Sequence, residues 1–242
     1  MKYTKNDILQ MLRSQYEFSI AFDPVVIRNM NIEYDSLIFD WQDACDLVSS
    51  KELANIFHKE FNINRPVFEL EHILHEKSHK TVGDFCEYIS FHAKRESIES
   101  VKLLGKYCRS AAIFKELKRK LTEKGANTSN LKPSSHINPF FLKYGGLLFN
   151  EVNLMAPGTL SKFEYTSHKL SRIGRNITIL GFLLLIVVGL MWSFHWILLL
   201  PIILGIVSIL IGDKKQPEKL DINGFKTFRE LIYSMEHRLK ET

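Results

Sequence analysis

The pattern of apolar and polar positions is dominated by one long uncharged segment near the C-terminus. It runs for 37 residues from Asn176 to Gly212, and its one ionisable side chain is His195. A single helix of that length would extend about 55 Å, whereas about 20 apolar residues cross the hydrocarbon core of a bilayer. The pattern therefore predicts a transmembrane helical hairpin, with arms at Ile177–Trp192 and Trp196–Ile211 and a turn at Ser193–His195.

Outside this segment, apolar residues recur mostly at the spacing of amphipathic helices. Three pairs of residues have the spacing of helix-opening capping boxes: Thr4 with Asp7, Ser49 with Glu52, and Thr81 with Asp84. The spacing predicts helices after Thr4, over Asp40–Val48, after Ser49, over Val67–His79, after Thr81, over Ile98–Lys124, from Pro133 to near Ala156, and from Ile222 to Leu239. Gly125 is expected to be the left-handed cap that ends the Ile98–Lys124 helix.

These elements predict a mainly α protein, a cytosolic helical bundle joined to a two-helix transmembrane hairpin. We divide the chain into an acidic helical bundle (1–95), a basic helical region next to the membrane (96–172), the transmembrane hairpin (173–212) and a cytosolic amphipathic helix (213–242). The last helix has an apolar face that either packs on the soluble part or lies on the membrane.

Charge is distributed unevenly along the chain. Residues 1–100 carry 11 basic and 17 acidic side chains, whereas residues 101–175 carry 14 basic and 4 acidic ones. Basic residues lie at both ends of the hairpin, and positive charge marks the cytoplasmic side of a membrane segment. We therefore predict two crossings of a bacterial inner membrane with both termini in the cytoplasm. The residues expected to contact lipid headgroups are Lys169, Arg172, Arg175, Lys214 and Lys215.

Two segments of the acidic region resemble helices of acyl carrier proteins. They are Asp46–Ile63 (DLVSSKELANIFHKEFNI) and Thr81–Ile89 (TVGDFCEYI). The resemblance implies a small antiparallel bundle with Phe61, Val82 and Ile89 in its core. It implies no carrier activity, because Leu47 stands where a carrier has the serine that takes phosphopantetheine. Other segments, such as Trp41–Leu47, resemble parts of bacterial membrane proteins that have no known activity.

The sharpest chemical motif is His75-Glu76-Lys77-Ser78-His79, which has the H-E-x-x-H form. On a helix, two histidines four residues apart share a face and can bind zinc, while the glutamate acts as general base. The segment is polar, however, and Lys77 and Lys80 bring positive charge to the site. A solvated helix face is therefore the favoured interpretation, and zinc binding at His75 and His79 is the alternative.

A second cluster is the basic run from Lys102 to Lys124, in which cations alternate with apolar residues. Dense positive charge suits nucleic acid or anionic lipid. Because the predicted hairpin follows closely, lipid contact is favoured over nucleic acid, with a solvated face around a core stripe as the other interpretation. The three cysteines, Cys45, Cys86 and Cys108, are widely spaced and are expected to be free thiols in a reducing compartment.

The chain contains no Walker loop, Rossmann glycine pattern, nucleophile elbow or kinase signature. We therefore expect a non-enzymatic adaptor that needs no cofactor, contacts membrane lipid and holds a protein partner at the membrane. One alternative is a membrane-associated zinc hydrolase that uses His75, Glu76 and His79. The other is an effector whose hairpins assemble into a homo-oligomer that perturbs the membrane.

Overall fold

The structure is a computed structural model that describes residues 2–23, 26, 30–103, 106–191, 199–213 and 217–241. The protein is mainly helical, as the sequence predicts. The helices are α1 (Lys5–Phe22), α2 (Ile38–Ala44), α3 (Ser50–Glu60), α4 (Val67–Leu74), α5 (Val82–His92), α6 (Arg109–Glu123), α7 (Ile137–Met155), α8 (Lys169–Met191), α9 (Leu199–Asp213) and α10 (Phe228–Glu241). A 3-10 helix spans Glu76–Ser78, and the strands are β1 (Val101–Leu103), β2 (Lys106–Cys108), β3 (Phe163–Thr166) and β4 (Lys219–Ile222).

The chain forms two compact units. Unit 1 comprises residues 1–163 and 222–242, and unit 2 comprises residues 164–221. Unit 2 is therefore an insertion between α7 and α10. Strands β3 and β4 form a two-stranded sheet at the two ends of this insertion.

The N-terminal half of unit 1 packs α1 to α5 around a core of large apolar side chains. Trp41 and Phe85 are fully buried at its centre, and Phe61, Val82 and Ile89 belong to the same cluster. Two predicted capping boxes are confirmed, because Thr4 with Asp7 and Thr81 with Asp84 each exchange both hydrogen bonds. Ser49 also caps its helix by accepting from the backbone N–H of Glu52.

The second half of unit 1 packs α10 against α6 and α7. Phe228 and Met235 are fully buried in α10, and the ring of Phe140 in α7 meets Phe228 edge-on at 5.4 Å. The Arg109 guanidinium donates to the carbonyl oxygen of Leu239 at 3.2 Å. Of the two positions that the sequence allows for its C-terminal helix, the structure therefore shows packing against other helices of unit 1.

The predicted helix over Ile98–Lys124 is wrong in its first third. Strands β1 and β2 pair antiparallel, with Val101 opposite Cys108, and α6 begins only at Arg109. The physical reason is local, since Gly105 lowers helix propensity by about 1 kcal/mol and the β-branched and aromatic residues beside it favour strands. The other end agrees with the prediction, because Gly125 has φ +90° and donates its N–H to the Thr122 carbonyl.

Smaller differences concern helix ends. The short helix predicted over Asp40–Val48 lies at Ile38–Ala44, and the chain then turns through Asp46, whose φ is +49°. The helix predicted over Val67–His79 ends at Leu74. In unit 2, α8 begins at Lys169, eight residues before the predicted arm. The predicted turn at Ser193–His195 lies outside the described residues.

Candidate functional site

The two helices of unit 2 pack against each other through small residues. A methyl group added to Gly174 would lie 2.7 Å from the carbonyl oxygen of Gly205 and 2.8 Å from the amide nitrogen of Ile209. Such distances are well below van der Waals contact, so only glycine allows the backbones to approach this closely. The facing positions are Ser171 with Gly212, Gly174 with Ile209, Thr178 with Gly205, and Gly181 with Ile202.

These facing positions show that α8 and α9 are antiparallel. Each advance of three or four residues along α8 matches an equal retreat along α9. The Thr178 hydroxyl forms its hydrogen bond within α8, by donating to the Gly174 carbonyl at 2.9 Å. The two helices therefore form a closely packed antiparallel pair.

The outward faces of the pair carry large apolar side chains that protein does not cover. Among the side chains that the structure describes, fifteen are more than two-fifths exposed: Ile173, Ile179, Leu180, Phe182, Leu183, Leu184, Ile186, Val187, Leu200, Ile203, Leu204, Ile206, Val207, Leu210 and Ile211. In α8, the segment Lys169–Val187 is long and apolar enough to cross a membrane, and only 17% of its most apolar window is buried. The α9 segment Leu199–Gly212 is apolar but shorter.

Monomeric soluble proteins rarely expose contiguous apolar patches beyond a few hundred Å². The exposed surface of unit 2 therefore indicates membrane association. By length, one helix among the described residues qualifies as a membrane span. The second crossing stays a prediction.

Charged and polar groups collect where the chain enters and leaves unit 2. Arg172 forms an ion pair with Glu218 at 2.5 Å, Lys219 pairs with Glu164, and Arg175 donates to the Ser167 hydroxyl at 3.1 Å. The Nδ1 atom of His168 accepts from the backbone N–H of Leu170 near the start of α8. The structure thus gives α8 a polar, cationic end and an apolar remainder.

The residues predicted to contact lipid headgroups lie partly in this polar end. Lys169, Arg172 and Arg175 are all exposed in the first two turns of α8. Lys214 and Lys215 lie outside the described residues. A cluster of exposed cations at the boundary of an apolar helix is the arrangement that anionic headgroups attract.

The H-E-x-x-H segment is not a helix, which removes the shared face that a zinc motif needs. His75 has extended backbone angles (φ −79°, ψ 133°), and His79 is left-handed (φ +49°). The Leu74 carbonyl, which would accept from the N–H of Ser78 in a continuing helix, instead accepts from the Gln42 amide at 2.9 Å and the Ser50 hydroxyl at 2.8 Å. The described residues contain no cluster of three or more metal-ligating side chains.

Some cations in and next to the basic helix α6 are paired with acidic residues of the protein. Arg119 pairs with Glu116 and Glu123, which lowers the pKa of the Glu116 carboxyl. Lys120 pairs with Glu96 at 2.7 Å, and Lys124 reaches the almost fully buried Glu151 at 2.6 Å. Because Arg119 is paired within α6, and Lys120 and Lys124 are paired with acidic residues of other segments, these three cations offer less free charge to lipid or nucleic acid than the sequence indicates.

An acidic groove of about 480 Å³ lies beside α2, α3 and α4. Its apolar floor includes Leu47 and Val48, and Val48 is about half exposed. The carboxylates that line it are Asp43, Asp46, Glu71 and Glu76. We call these residues the acidic groove below. Lys51 also lines it, so the four carboxylates leave a net negative charge beside the exposed apolar surface.

Sequence reasoning missed the close contact between α8 and α9 at Gly174. The signal was nonetheless present, because Ser171, Gly174, Thr178 and Gly181 repeat at three- and four-residue spacing on one face of α8. The acidic groove gave no comparable signal, since it joins residues from separate helices.

Comparisons of the chain with models of protein families, with curated proteins and with solved structures found no match.

Proposed function

We propose that this protein is a membrane-anchored, non-enzymatic adaptor. Unit 2 is the anchor, and the helical unit 1 holds a protein partner at the cytoplasmic face of the membrane. The observation that carries the proposal is the exposed apolar surface on both helices of unit 2, combined with the cationic end of α8. Burial of such surface in lipid is favourable by about 25 cal/mol per Å².

We further propose that α8 and α9 cross the bilayer as a hairpin, with both termini in the cytoplasm. The antiparallel contacts support this topology, because they bring the start of α8 and the end of α9 to the same end of the pair. The α9 helix has 15 residues and is about 22 Å long, so a bilayer about 30 Å thick would thin slightly around it.

Reporter fusions test this topology. A periplasm-active and a cytoplasm-active reporter would each be fused at the C-terminus and inserted after Met191. We expect cytoplasmic activity at the C-terminus and periplasmic activity at the insertion. Cytoplasmic activity at both places, with resistance to carbonate extraction, would replace the crossing hairpin with one that enters a single leaflet. Release of the protein by carbonate would contradict the membrane anchor itself.

The acidic groove supports a specific kind of partner. Its charge and its apolar floor complement a cationic, amphipathic segment of another protein, which electrostatic attraction would orient. Three cations in and next to α6, by contrast, already have acidic partners: Arg119 pairs with Glu116, Lys120 with Glu96, and Lys124 with Glu151.

Charge reversal tests the partner site. The variant Asp43→Lys/Asp46→Lys/Glu76→Lys would be compared with Glu17→Lys/Asp35→Lys/Glu99→Lys, which reverses three exposed acids outside the groove. After cross-linking in native membranes, proteins held by the wild type should be lost from the groove variant and kept by the control. Their capture should also fall as salt screens the exposed charges. Equal capture by both variants would contradict the groove as the partner site.

A further inference from the structure

An apolar pocket of about 230 Å³ lies between α1, α3 and α7 of unit 1, and we call it the anchor pocket. The residues that line it and keep exposed surface are mostly apolar: Leu47, Ile56, Phe57 and Leu154. Ile56 is 45% exposed, so the pocket is reached from the surface of the protein. A cavity of about 150 Å³ holds benzene. The anchor pocket therefore has room for one aromatic side chain.

The polar residues around the anchor pocket have hydrogen-bond partners within the protein. The Glu60 carboxylate accepts from the Asn150 amide at 2.7 Å and lies 3.7 Å from the Lys124 ammonium. The Gln15 amide donates to the Ser19 hydroxyl at 3.5 Å. A charged group that entered the pocket would lose its hydration and meet only a carboxylate that is already paired. The group that fits the pocket is therefore uncharged and apolar.

Leu47 connects the anchor pocket to the acidic groove. Its residue lines both spaces, so the two are neighbours on the surface of unit 1. One of them offers apolar walls, and the other offers a net negative charge. Together they match the two faces of an amphipathic helix that carries apolar residues on one side and cations on the other.

The wall of the anchor pocket favours an aromatic ring over an aliphatic group. Phe57 is partly exposed in that wall, and its ring already lies 5.1 Å from Phe85 and 6.4 Å from Trp41. A further ring beside Phe57 would extend this cluster, since aromatic rings favour contact with one another at such distances. Aromatic side chains that fill a pocket also tend to contribute most of the affinity of a protein interface.

We infer that the protein partner binds unit 1 through a cationic amphipathic helix, which inserts one aromatic side chain into the anchor pocket. The cations of the same helix lie along the acidic groove. This inference rests on the proposed function, because it uses the groove as the partner site. It adds the source of affinity: the charges orient the helix as it approaches, and burial of the ring holds it in place.

Three synthetic peptides test the anchor. The first is a fluorescently labelled helix of about 15 residues, with lysines on one face and a single phenylalanine at the centre of the other. The second has alanine in place of the phenylalanine, and the third has glutamate in place of the lysines. The full-length protein is held in lipid discs of zwitterionic lipid, and fluorescence anisotropy is corrected for binding to empty discs. We expect saturable binding of the first peptide, about thirtyfold weaker binding of the second, and none of the third.

The variant Ile56→Glu separates the anchor from simple charge attraction. It adds a negative charge beside the anchor pocket, so it would strengthen binding that depends on charge alone. An inserted ring would instead meet a carboxylate, and we expect the phenylalanine peptide to bind about tenfold more weakly. The control Tyr233→Glu adds the same charge at an exposed residue of α10 and should change its affinity by less than about twofold. If Ile56→Glu fails to fold, the phenylalanine and alanine peptides on the wild type still decide.

The outcomes distinguish this inference from the proposed function. Equal affinity for the phenylalanine and alanine peptides, or tighter binding by Ile56→Glu, would overturn the anchor. The acidic groove would remain the partner site if Asp43→Lys/Asp46→Lys/Glu76→Lys still abolished binding of both peptides. Unchanged binding of the phenylalanine peptide by this triple variant would overturn the place of the cations in the groove. Binding of none of the peptides by the folded wild type would also overturn the inference, whereas cross-linking in native membranes tests the proposed function separately.

Discussion

The capping residue Asp84 shows how a single side chain fixes the start of a helix. Its carboxylate accepts from the backbone N–H of Thr81 at 2.9 Å and from the Thr81 hydroxyl, while the Thr81 hydroxyl also accepts from the Asp84 N–H. The backbone hydrogen bond from Thr81 is the main cause that lowers the pKa of Asp84, and Lys80 adds to it. The charged form of Asp84 is therefore the form that stabilises α5.

The lowered pKa of Asp84 predicts a pH-dependent effect of Asp84→Asn. A carboxyl whose pKa is lower in the folded state stabilises above its unfolded value of 3.8 and loses this contribution as the pH falls. We expect Asp84→Asn to lower the melting temperature at pH 7 by about 2–4 °C, which corresponds to about 1 kcal/mol. The difference from the wild type should shrink below pH 4. The control Asp43→Asn changes an exposed side chain of α2 and should alter the melting temperature at pH 7 by less than about 2 °C.

The three cysteines differ in burial, which predicts their reactivity. Burial raises the pKa of the Cys45 and Cys86 thiols to about 12, so both stay protonated at neutral pH and are shielded from reagents. Cys108 is only half-buried. We expect a maleimide at pH 7.5 to modify one cysteine per folded chain and three after denaturation, as counted by mass spectrometry. Rapid modification of Cys45 or Cys86 in the folded chain would contradict the buried core around Trp41.

At the level of elements, replacing a glycine by alanine has two effects: it can create a clash with a neighbouring helix, and it raises helix propensity. The close contact of α8 and α9 at Gly174 allows the two effects to be measured separately. In Gly174→Ala the new methyl group meets backbone atoms of α9 that cannot move individually, so the helices must separate. We expect a loss of about 1–3 kcal/mol in unfolding free energy. In the control Gly146→Ala, in α7, the methyl group meets no atom within 4 Å, and higher helix propensity should add up to about 1 kcal/mol.

Thermal unfolding in detergent, followed by circular dichroism, measures both glycine variants. Because the two variants are expected to change the unfolding free energy in opposite directions, the comparison does not depend on its absolute value. If Gly174→Ala proved as stable as Gly146→Ala, the close backbone contact between α8 and α9 would be wrong.

The sequence predicted a structural feature correctly where that feature depends on residues close to each other in the chain. The boxes at Thr4 and Thr81 and the left-handed cap at Gly125 depend on neighbouring residues, and all three are present in the structure. The end of α4 depends on Gln42 and Ser50, which arrive from two other helices to capture the Leu74 carbonyl. The spacing of residues near His75 does not reveal the contacts of Gln42 and Ser50, so the predicted helix extended past Leu74.

The same distinction applies to the candidate sites. The apolar segment of unit 2 was visible in the sequence, because lipid-facing helices need no partner from elsewhere in the chain. The pairing of Lys120 and Lys124 was not visible, since their partners Glu96, Glu60 and Glu151 come from other segments of the chain. Sites built by tertiary contact leave no spacing pattern to read.

At the scale of the whole molecule, unit 2 is an insertion in the sequence of unit 1, between α7 and α10. The chain leaves and re-enters unit 1 at neighbouring points, because the Asn223 N–H donates to the Lys162 carbonyl at 2.9 Å. The Asn223 side chain also accepts from the backbone N–H groups of Ser161 and Lys162. All of these contacts lie within unit 1.

The insertion predicts that unit 1 folds without its anchor. Replacing residues 164–221 by the two-residue turn Asn-Gly would join Phe163 to Ile222 in a geometry that short hairpins favour. We expect this variant to be soluble without detergent, helical, and cooperative in thermal unfolding, because Phe228, Leu231 and Met235 of α10 keep their buried positions.

The matched control truncates the chain after residue 221 and so removes α10 while it keeps unit 2. Loss of these large buried side chains costs about 2–5 kcal/mol each, so the truncated chain should aggregate even in detergent. An excised variant that fails to fold, beside a truncated chain that unfolds cooperatively in detergent, would show instead that unit 1 depends on its anchor and not on α10.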